Sequence, residues 1–547
     1  MSNPDFVNTL YYGDNLAVMR KFIKDESVDL IYLDPPFNSQ ADYNILFKEA
    51  SGEESAAQIQ AFTDFWRWDK AAESTYMELQ EDPKLTEMIQ FLHAYLGRND
   101  MLAYLVMMTI RLRELHRVLK PTGSLYLHCD PTASHYLKLI LDRIFGPKQF
   151  LNEIVWKRSS AHSDTRQGMK RCGRIHDILF VYTKTGNYVW NPTYTEYSED
   201  YKNQFYKNIE PETNRKFTLS DLTAAKPGGD VSYEFKGVKP YKGRYWAYSK
   251  ENMEKFDKEG RLYYTKTGMP RLKNYLDEMP GVSLQDIWDD IKPESGSKDL
   301  GYPTQKPETL LERIISSSSN ENDIVLDPFC GCGTATIASN TLKRKWIGID
   351  VTHLSISLIK SRLFDNHVVA GKDYVVVGEP VDLASAVELA ETNPYQFQWW
   401  ALSLINARPA GQTSSGAGKK GSDKGVDGWL AFRESANLNL KRIVVQVKGG
   451  ANVGAKDVRD LNGTVQAQKA EMGILITLTE PTNPMKEAAL EAEYYISPTW
   501  GTKYPKIQII TIEQLLNGEK LNVPLASNMF REAPESKRQK EIVQKKL

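Results

Sequence analysis

The apolar and polar positions divide the chain into stretches of distinct period. Residues 1–37 read as two short strands around a helix, and the unbroken apolar run from Val28 to Leu33 has a buried-strand pattern. That run stops at Asp34-Pro35-Pro36, because consecutive prolines have no N–H to offer a ladder. Residues 38–80 show no clear period and read as loop, anchored by Phe65, Trp66 and Trp68. Helical spacing governs 100–119, with Leu102, Leu105, Val106, Ile110, Leu112 and Leu115 on one face. Pro121-Thr122-Gly123 predicts a turn into a strand over Ser124–His128. A helix near 132–145 and a strand pair near 152–183 follow.

Between 190 and 300 the aliphatic runs nearly vanish and Tyr, Trp and Lys become frequent, which predicts a separate, irregular module. The aliphatic pattern returns at 301. A helix (Glu308–Ser317), a strand (Ile324–Leu326), a Gly-rich turn, a helix (Thr334–Thr341) and a strand (Lys345–Ile349) make a unit of doubly wound α/β type. A second, smaller α/β pattern has helices at 395–407 and 455–469 and strands at 429–433, 441–448 and 472–478. It is interrupted by the Gly/Ser/Lys-rich stretch 409–425, read as a mobile loop. The chain thus divides at 1–189, 190–300, 301–372, a linker 373–394, 395–524 and a charged tail 525–547.

Length and charge sharpen this picture. A chain of 547 residues exceeds one ordinary core. Its net charge of -1 means that any affinity for nucleic acid must be local. The stretch Lys157–Arg174, with Lys157, Arg158, Arg166, Lys170, Arg171 and Arg174, is either a phosphate-contacting loop or a solvated basic one. No run approaches the ~20 apolar residues of a membrane span, and the first residues carry no signal-peptide pattern. The expected location is cytoplasmic, with no membrane partner. Cys129, Cys172, Cys330 and Cys332 lack zinc spacing and read as free thiols.

Two segments carry candidate chemistry. In Val325–Thr334, glycines after a strand let backbone approach a ligand at a helix N-terminus, and Asp350 closes the next strand about 20 residues on, where it could bind ribose hydroxyls. A tight packing turn would look similar. Asp34-Pro35-Pro36-Phe37 is either a strand-terminating turn or an amine clamp. An exocyclic amine on a heteroaromatic ring is a poor nucleophile. A carboxylate and a backbone carbonyl, held by two prolines, can hydrogen-bond both amine hydrogens and aim the lone pair, while an aromatic ring stacks on the base. No cysteine follows a proline, which disfavours ring-carbon cytosine methylation through a thiolate.

Taken together, these segments resemble the β-group of DNA amino-methyltransferases, especially the modification subunits of type III restriction systems, over roughly residues 8–365. The order matches: catalytic motif, recognition region, cofactor loop. Tyr12–Leu16, Leu112–Asp130, Asn152–Lys157, His176–Tyr182 and Tyr302–Pro307 each resemble a family segment. The resemblance implies a Rossmann-like S-adenosylmethionine-dependent methyltransferase with an inserted target-recognition domain at 190–300. It implies Asp34, Pro35, Pro36 and Phe37 as catalytic. It implies Asp14, Thr304, Lys306, Asp327, Phe329, Gly331, Gly333, Thr334 and Asp350 as cofactor-binding. Asp at the first motif position goes with adenine N6 and Ser with cytosine N4, so double-stranded DNA methylated at adenine is expected, with N4-cytosine as the alternative. Phe37 stands where Tyr is commoner.

Residues 395–515 resemble the Mrr-type branch of PD-(D/E)xK restriction endonucleases. That implies a small C-terminal α/β endonuclease domain with Asp427, Gln446 and Lys448 as catalytic and Mg2+ held by Asp427 and Gln446. A polar edge strand would also explain Gln-Val-Lys. The preceding helix of the family often supplies a glutamate; Tyr395–Trp400 offers Gln396 and Gln398 instead. The alternatives are a solitary methyltransferase whose C-terminal domain only binds DNA, and an RNA amino-methyltransferase. A homodimer and a separate helicase or restriction subunit come with the resemblance as partners.

Overall fold

In the computed structural model, residues 6–36, 68–159, 170, 172–225, 233–294, 302, 304–410, 425–432, 441–450 and 452–524 are described. Phe37, Phe65, Trp66, Arg166, Arg171, the stretch 411–424 and the charged tail lie outside the described residues.

The large sheet is built from β1 (Asn8–Tyr12), β2 (Val28–Leu33), β3 (Leu119–Cys129), β4 (Phe150–Lys157), β5 (His176–Thr183), β6 (Ile287–Trp288), β7 (Ile324–Asp327), β8 (Lys345–Asp350) and β9 (Tyr374–Val377). Its order is β6-β4-β5-β3-β2-β7-β8-β1-β9. Every residue of β2 is buried, as its unbroken apolar run requires. Late strand β7 inserts beside early strand β2, parallel to it, with Val325 opposite Leu30. On its other side β7 runs parallel to β8. The ends of β2, β7 and β8 therefore open on one sheet edge, where ligands of doubly wound sheets bind.

Helices cover the sheet: α1 (Asn15–Phe22), α2 (Lys70–Gln80), α3 (Thr86–Leu96), α4 (Asp100–Val118), α5 (Ser134–Phe145), α6 (Glu308–Ser318), α7 (Thr334–Thr341) and α8 (His353–Asp365). The loop expected over 38–80 is corrected for residues 70–80, which are helical. Asp69 caps α2 by accepting from the Ala72 N–H at 2.9 Å, and the helix buries only Tyr76 and Leu79. So sparse an apolar stripe left little periodicity to read. The turn expected at Pro121–Gly123 is also corrected: β3 runs from Leu119 without interruption. Proline is tolerated there because the ladder to β5 begins only at Ser124. Against β2, the register shifts between Val28 and Leu30.

Residues 192–285 form a compact unit of their own. Poor in aliphatic runs, the unit is nonetheless ordered. Its antiparallel sheet runs 262–264, 270–275, 216–221, 208–209. Leu222, Phe235, Trp246, Met253 and Leu262 fill its core.

The C-terminal part has α9 (Leu383–Thr392), α10 (Pro394–Leu404), β10 (Arg408–Pro409), β11 (Gly428–Phe432), β12 (Lys441–Lys448), α11 (Ala455–Ala467), β13 (Met472–Thr477), α12 (Asn483–Glu491) and β14 (Ile507–Thr511). The five strands form one sheet in chain order. Ile443 and Val445 pack beneath Phe397, Trp400 and Ala401 of α10, while Val444 packs beneath Val458 and Leu461 of α11. The period-2 alternation of β12 thus separates two helical layers.

Helix α10 also packs on α8. Its Gln396 side-chain oxygen accepts from the His353 backbone N–H at 2.6 Å, and both residues are buried. Lys360 donates to the Ser403 hydroxyl at 3.1 Å. Trp399 joins Leu354 and Leu358 in one apolar cluster. Gln396→Ala leaves a buried N–H without its acceptor and should destabilise the protein by about 1–3 kcal/mol. Urea unfolding checks this; an unchanged midpoint would refute the capping role.

Candidate active site

Three carboxyls leave adjacent parallel strands at the same edge: Asp34 after β2, Asp327 closing β7 and Asp350 closing β8. Burial pushes Asp327 well above the usual carboxylate range; the neighbouring charges of Asp34 and Asp350 add to this, while the Phe329 N–H opposes it. Burial also raises Asp350, against hydrogen bonds from Thr352 and Gly331. Such a crevice favours a ligand that brings positive charge.

The glycine turn is held from several sides. The Gly331 N–H donates to Asp350 at 2.9 Å, and the Thr352 N–H donates to its other oxygen at 2.9 Å. Asp350, expected at a ribose, thus also clamps the turn. Gly331 and Gly333 have φ of +50° and +79°. A Cβ on Gly333 would come within 2.5 Å of Ile359, so both backbone and space demand glycine there. Behind Gly331 lies the ring of Tyr302, and the Phe329 N–H donates to Asp327 at 3.0 Å. Thr334 opens α7 but is buried, with Arg362 3.5 Å from its hydroxyl.

Asp14 caps α1 through the Ala17 N–H at 3.0 Å and pairs with Arg111 at 2.6 Å. Its neighbour Asn15 donates to the Pro328 carbonyl at 2.7 Å and accepts from Arg111 at 2.6 Å. Asn15 and Arg111 therefore brace the glycine turn. Neither stood out in the sequence, because each acts across roughly a hundred positions or more.

At the end of β2, Lys306 pairs with one oxygen of Asp34 rather than standing apart from it, and also donates to the Thr304 carbonyl at 3.4 Å. The second oxygen, Oδ1, is buried and has no hydrogen-bond partner among the described residues. A buried acceptor left open in this way is costly unless a ligand fills it. Pro35 and Pro36 follow directly; Phe37 lies outside the described residues.

In the C-terminal sheet, the Asp427 carboxylate accepts from the Val447 N–H at 2.7 Å, which sets it against β12. Gln446 donates to the Gly425 carbonyl, leaving its own oxygen available as a hard donor. Lys448 lies 3.5 Å from Asp457 of α11. Gln396, which departs from the glutamate often found on this helix of the family, caps α8, and its helix packs on the opposite layer from α11. Among the described residues no cluster of three His, Cys, Asp or Glu could hold a metal.

The donor set at the large sheet fits S-adenosylmethionine. The turn allows close backbone approach, and the sulfonium and ammonium of that ligand would suit the acids at this edge. Because Asp327 is raised in the free protein, a cationic ligand should expel its proton. Affinity for S-adenosylmethionine should rise as pH increases towards the raised value, with net proton release on binding. Calorimetry in two buffers of different ionisation enthalpy reads this directly; pH-independent affinity without proton release would contradict it.

Comparison with known proteins gives the same picture. The chain is 28% identical over 396 residues to the type II methyltransferase M.EcaI of Enterobacter cloacae, covering 71% of this chain and 76% of that one. It is 26% identical to the type III restriction-modification enzyme StyLTI Mod subunit of Salmonella typhimurium, over 63% of this chain and 51% of that one. It is 26% identical to the DNA adenine methyltransferase YhdJ of Escherichia coli K12, over 65% and 82%. Among solved structures, a DNA modification methylase of Thermus thermophilus complexed with S-adenosyl-L-methionine aligns over 68% of this chain and 99% of that one at 16% identity, with a TM-score of 0.33. Residues 389–516 match the Mrr_cat family, described as restriction endonuclease. Residues 28–361 match the N6_N4_Mtase family, described as DNA methylase, and the chain belongs to that family, with a restriction-endonuclease domain behind its S-adenosylmethionine-dependent methyltransferase fold.

Proposed function

We propose that the protein methylates the exocyclic N6 of adenine in double-stranded DNA. The observation that carries this is the buried, open Oδ1 of Asp34 beside a cation-seeking crevice. The acid at the first position of the motif favours adenine, and the identity with an adenine methyltransferase agrees.

When bound, S-adenosylmethionine supplies an electrophilic methyl group. The chain's own residues then orient the base. Asp34 accepts one N6–H, and the carbonyl of Pro35 is placed by the two prolines to accept the other. Lys306 fixes the carboxylate from its far side. The flipped base leaves the helix at a cost of a few kcal/mol, which a stacking partner such as Phe37 offsets. Lys157, Arg158, Lys170 and Arg174 supply phosphate contacts. The Tyr- and Trp-rich unit 192–285 reads the sequence by stacking and polar contacts. The methionine end falls to Thr304 and Lys306, and the adenosine end to Asp14 and Asp350.

The C-terminal domain cleaves DNA in this reading. Asp427 and the Gln446 oxygen would hold Mg2+, and Lys448 would stabilise phosphorane charge. A homodimer and a separate helicase or restriction subunit complete the reading, supported by the identity with a type III Mod subunit.

Asp34→Ala should lower methylation about 10²–10³-fold or more while S-adenosylmethionine still binds. Modification-sensitive sequencing of DNA from expressing cells should show N6-methyladenine for wild type alone. N4-methylcytosine, or an unchanged signal in the variant, would overturn the assignment. Unmodified DNA with Mg2+ should be cut by wild type and not by Asp427→Ala; no cutting by either removes the nuclease claim.

A further inference from the structure

Beneath Asp34 lies a buried imidazole that the amine clamp does not use. His128, on β3, is fully buried. Its Nε2 is 3.2 Å from the Asp177 carboxylate of β5. Its Nδ1 is 3.0 Å from the Tyr32 hydroxyl and 4.0 Å from Asp34 Oδ1, the oxygen left open for the amine. The ring is fixed edge-on against Trp156, with centroids 5.7 Å apart. Burial alone would raise Asp177, but the hydrogen bond from His128 and the charges of Arg158 and Lys306 oppose it, and the carboxyl is held below its usual range. Ionised Asp177 can only accept, which places the ring proton on Nε2, so Nδ1 accepts from the Tyr32 hydroxyl with Asp34 4.0 Å away. Arg158 faces the other Asp177 oxygen at 3.3 Å, an ion pair without hydrogen-bond alignment.

Methylating an amine creates an acid that must be discharged. As the N6 lone pair bonds to the methyl carbon, the carbon–sulfur bond breaks with its electrons kept on sulfur. The nitrogen becomes cationic and still carries two hydrogens. One must leave as a proton.

We propose that His128, oriented by Asp177, takes up this proton from the amine by way of Asp34. The N6–H bond breaks, the Tyr32 hydroxyl turns its hydrogen away from Nδ1, the proton passes through Asp34 Oδ1 to the Nδ1 lone pair so freed, and Asp34 is left ionised as before. The resulting imidazolium lies between two carboxylates, Asp34 and Asp177, which stabilise it. It loses its proton to solvent once product leaves. The charged and titratable groups around the ring are Tyr32 and Asp34 from β2 and its end, Asp177 from β5, Arg158 after β4, and Lys306 before α6. This is the acid–base–orienter logic of an Asp–His pair, with the 4.0 Å gap closing when the base enters.

The proposal rests on Asp34 as the amine's acceptor, and the test separates the two. Single-turnover methylation of a short duplex is followed against pH, with S-adenosylmethionine and DNA affinities measured alongside. Wild type should show a rate rising with pH through one ionisation and then level. His128→Gln should bind both ligands within about threefold of wild type, lose that limb and fall 10- to 100-fold at the plateau. Asp177→Asn tests the same relay with little change of shape. Without the carboxylate the imidazolium is less favoured, so the limb should move to lower pH. Its amide can also donate to Nε2 and turn the ring to the wrong tautomer, lowering the plateau. A wild-type limb in His128→Gln, or an unmoved limb in Asp177→Asn, overturns the proposal. Activity retained in Asp34→Ala instead removes the clamp on which it stands.

Discussion

The cost of burying carboxyls at one sheet edge governs this structure. Asp34, Asp327 and Asp350 end or follow three neighbouring parallel strands, so the topology itself crowds them. Each is offset differently. Asp350 is spent on backbone N–H groups of the turn it closes. Asp34 has Lys306 on one side only. Asp327 has a single N–H and remains raised. The edge thus keeps raised carboxyls and one open acceptor, an arrangement that the fold fixes before any ligand arrives.

Chain order matters less than this edge. Strand β2 comes early and β7 and β8 almost three hundred residues later, yet β7 lies directly against β2. Nothing in the sheet's hydrogen bonding demands that neighbouring strands be consecutive, provided crossovers pack on its faces. The intervening chain is therefore free to hold a compact unit of its own at 192–285, with an aromatic rather than aliphatic core.

Legibility in the sequence followed the range of the interaction. The end of β2 at two prolines, the glycine turn and the acid closing β8 are local signals, and the strands and helices around them fall within a residue or two of their expected bounds. Helix α2 was missed because it buries two side chains. The turn at Pro121–Gly123 was mistaken because proline's missing N–H matters only where a ladder asks for it, and here the ladder to β5 starts three residues later. The brace from Asn15 and Arg111 and the buried pair His128–Asp177 join positions 49 to 313 apart. Their residue types alone, a polar neighbour of an N-cap and a histidine in an apolar strand, mark no role until the sheet brings them together.

Gln396 shows how the two halves of the chain are joined. Viewed along the sequence it stands where a nuclease acid would be sought; in space it completes the N-terminus of α8, the helix that follows Asp350. That same helix presents His353 to the ring of Tyr12, stacked at 3.7 Å, and Tyr12 precedes Gly13, whose N–H donates to the Asp350 carbonyl at 2.9 Å. Glu379, just after β9, is held low by Lys360 and His353 of α8 despite its burial, so a buried anion lies against this helix. A glutamate at 396 would offer the His353 N–H an acceptor too, but it would add a second anion beside Glu379 in a desolvated space. Neutral glutamine satisfies the cap without that cost. The residue type at 396 therefore suits α8, the helix it caps.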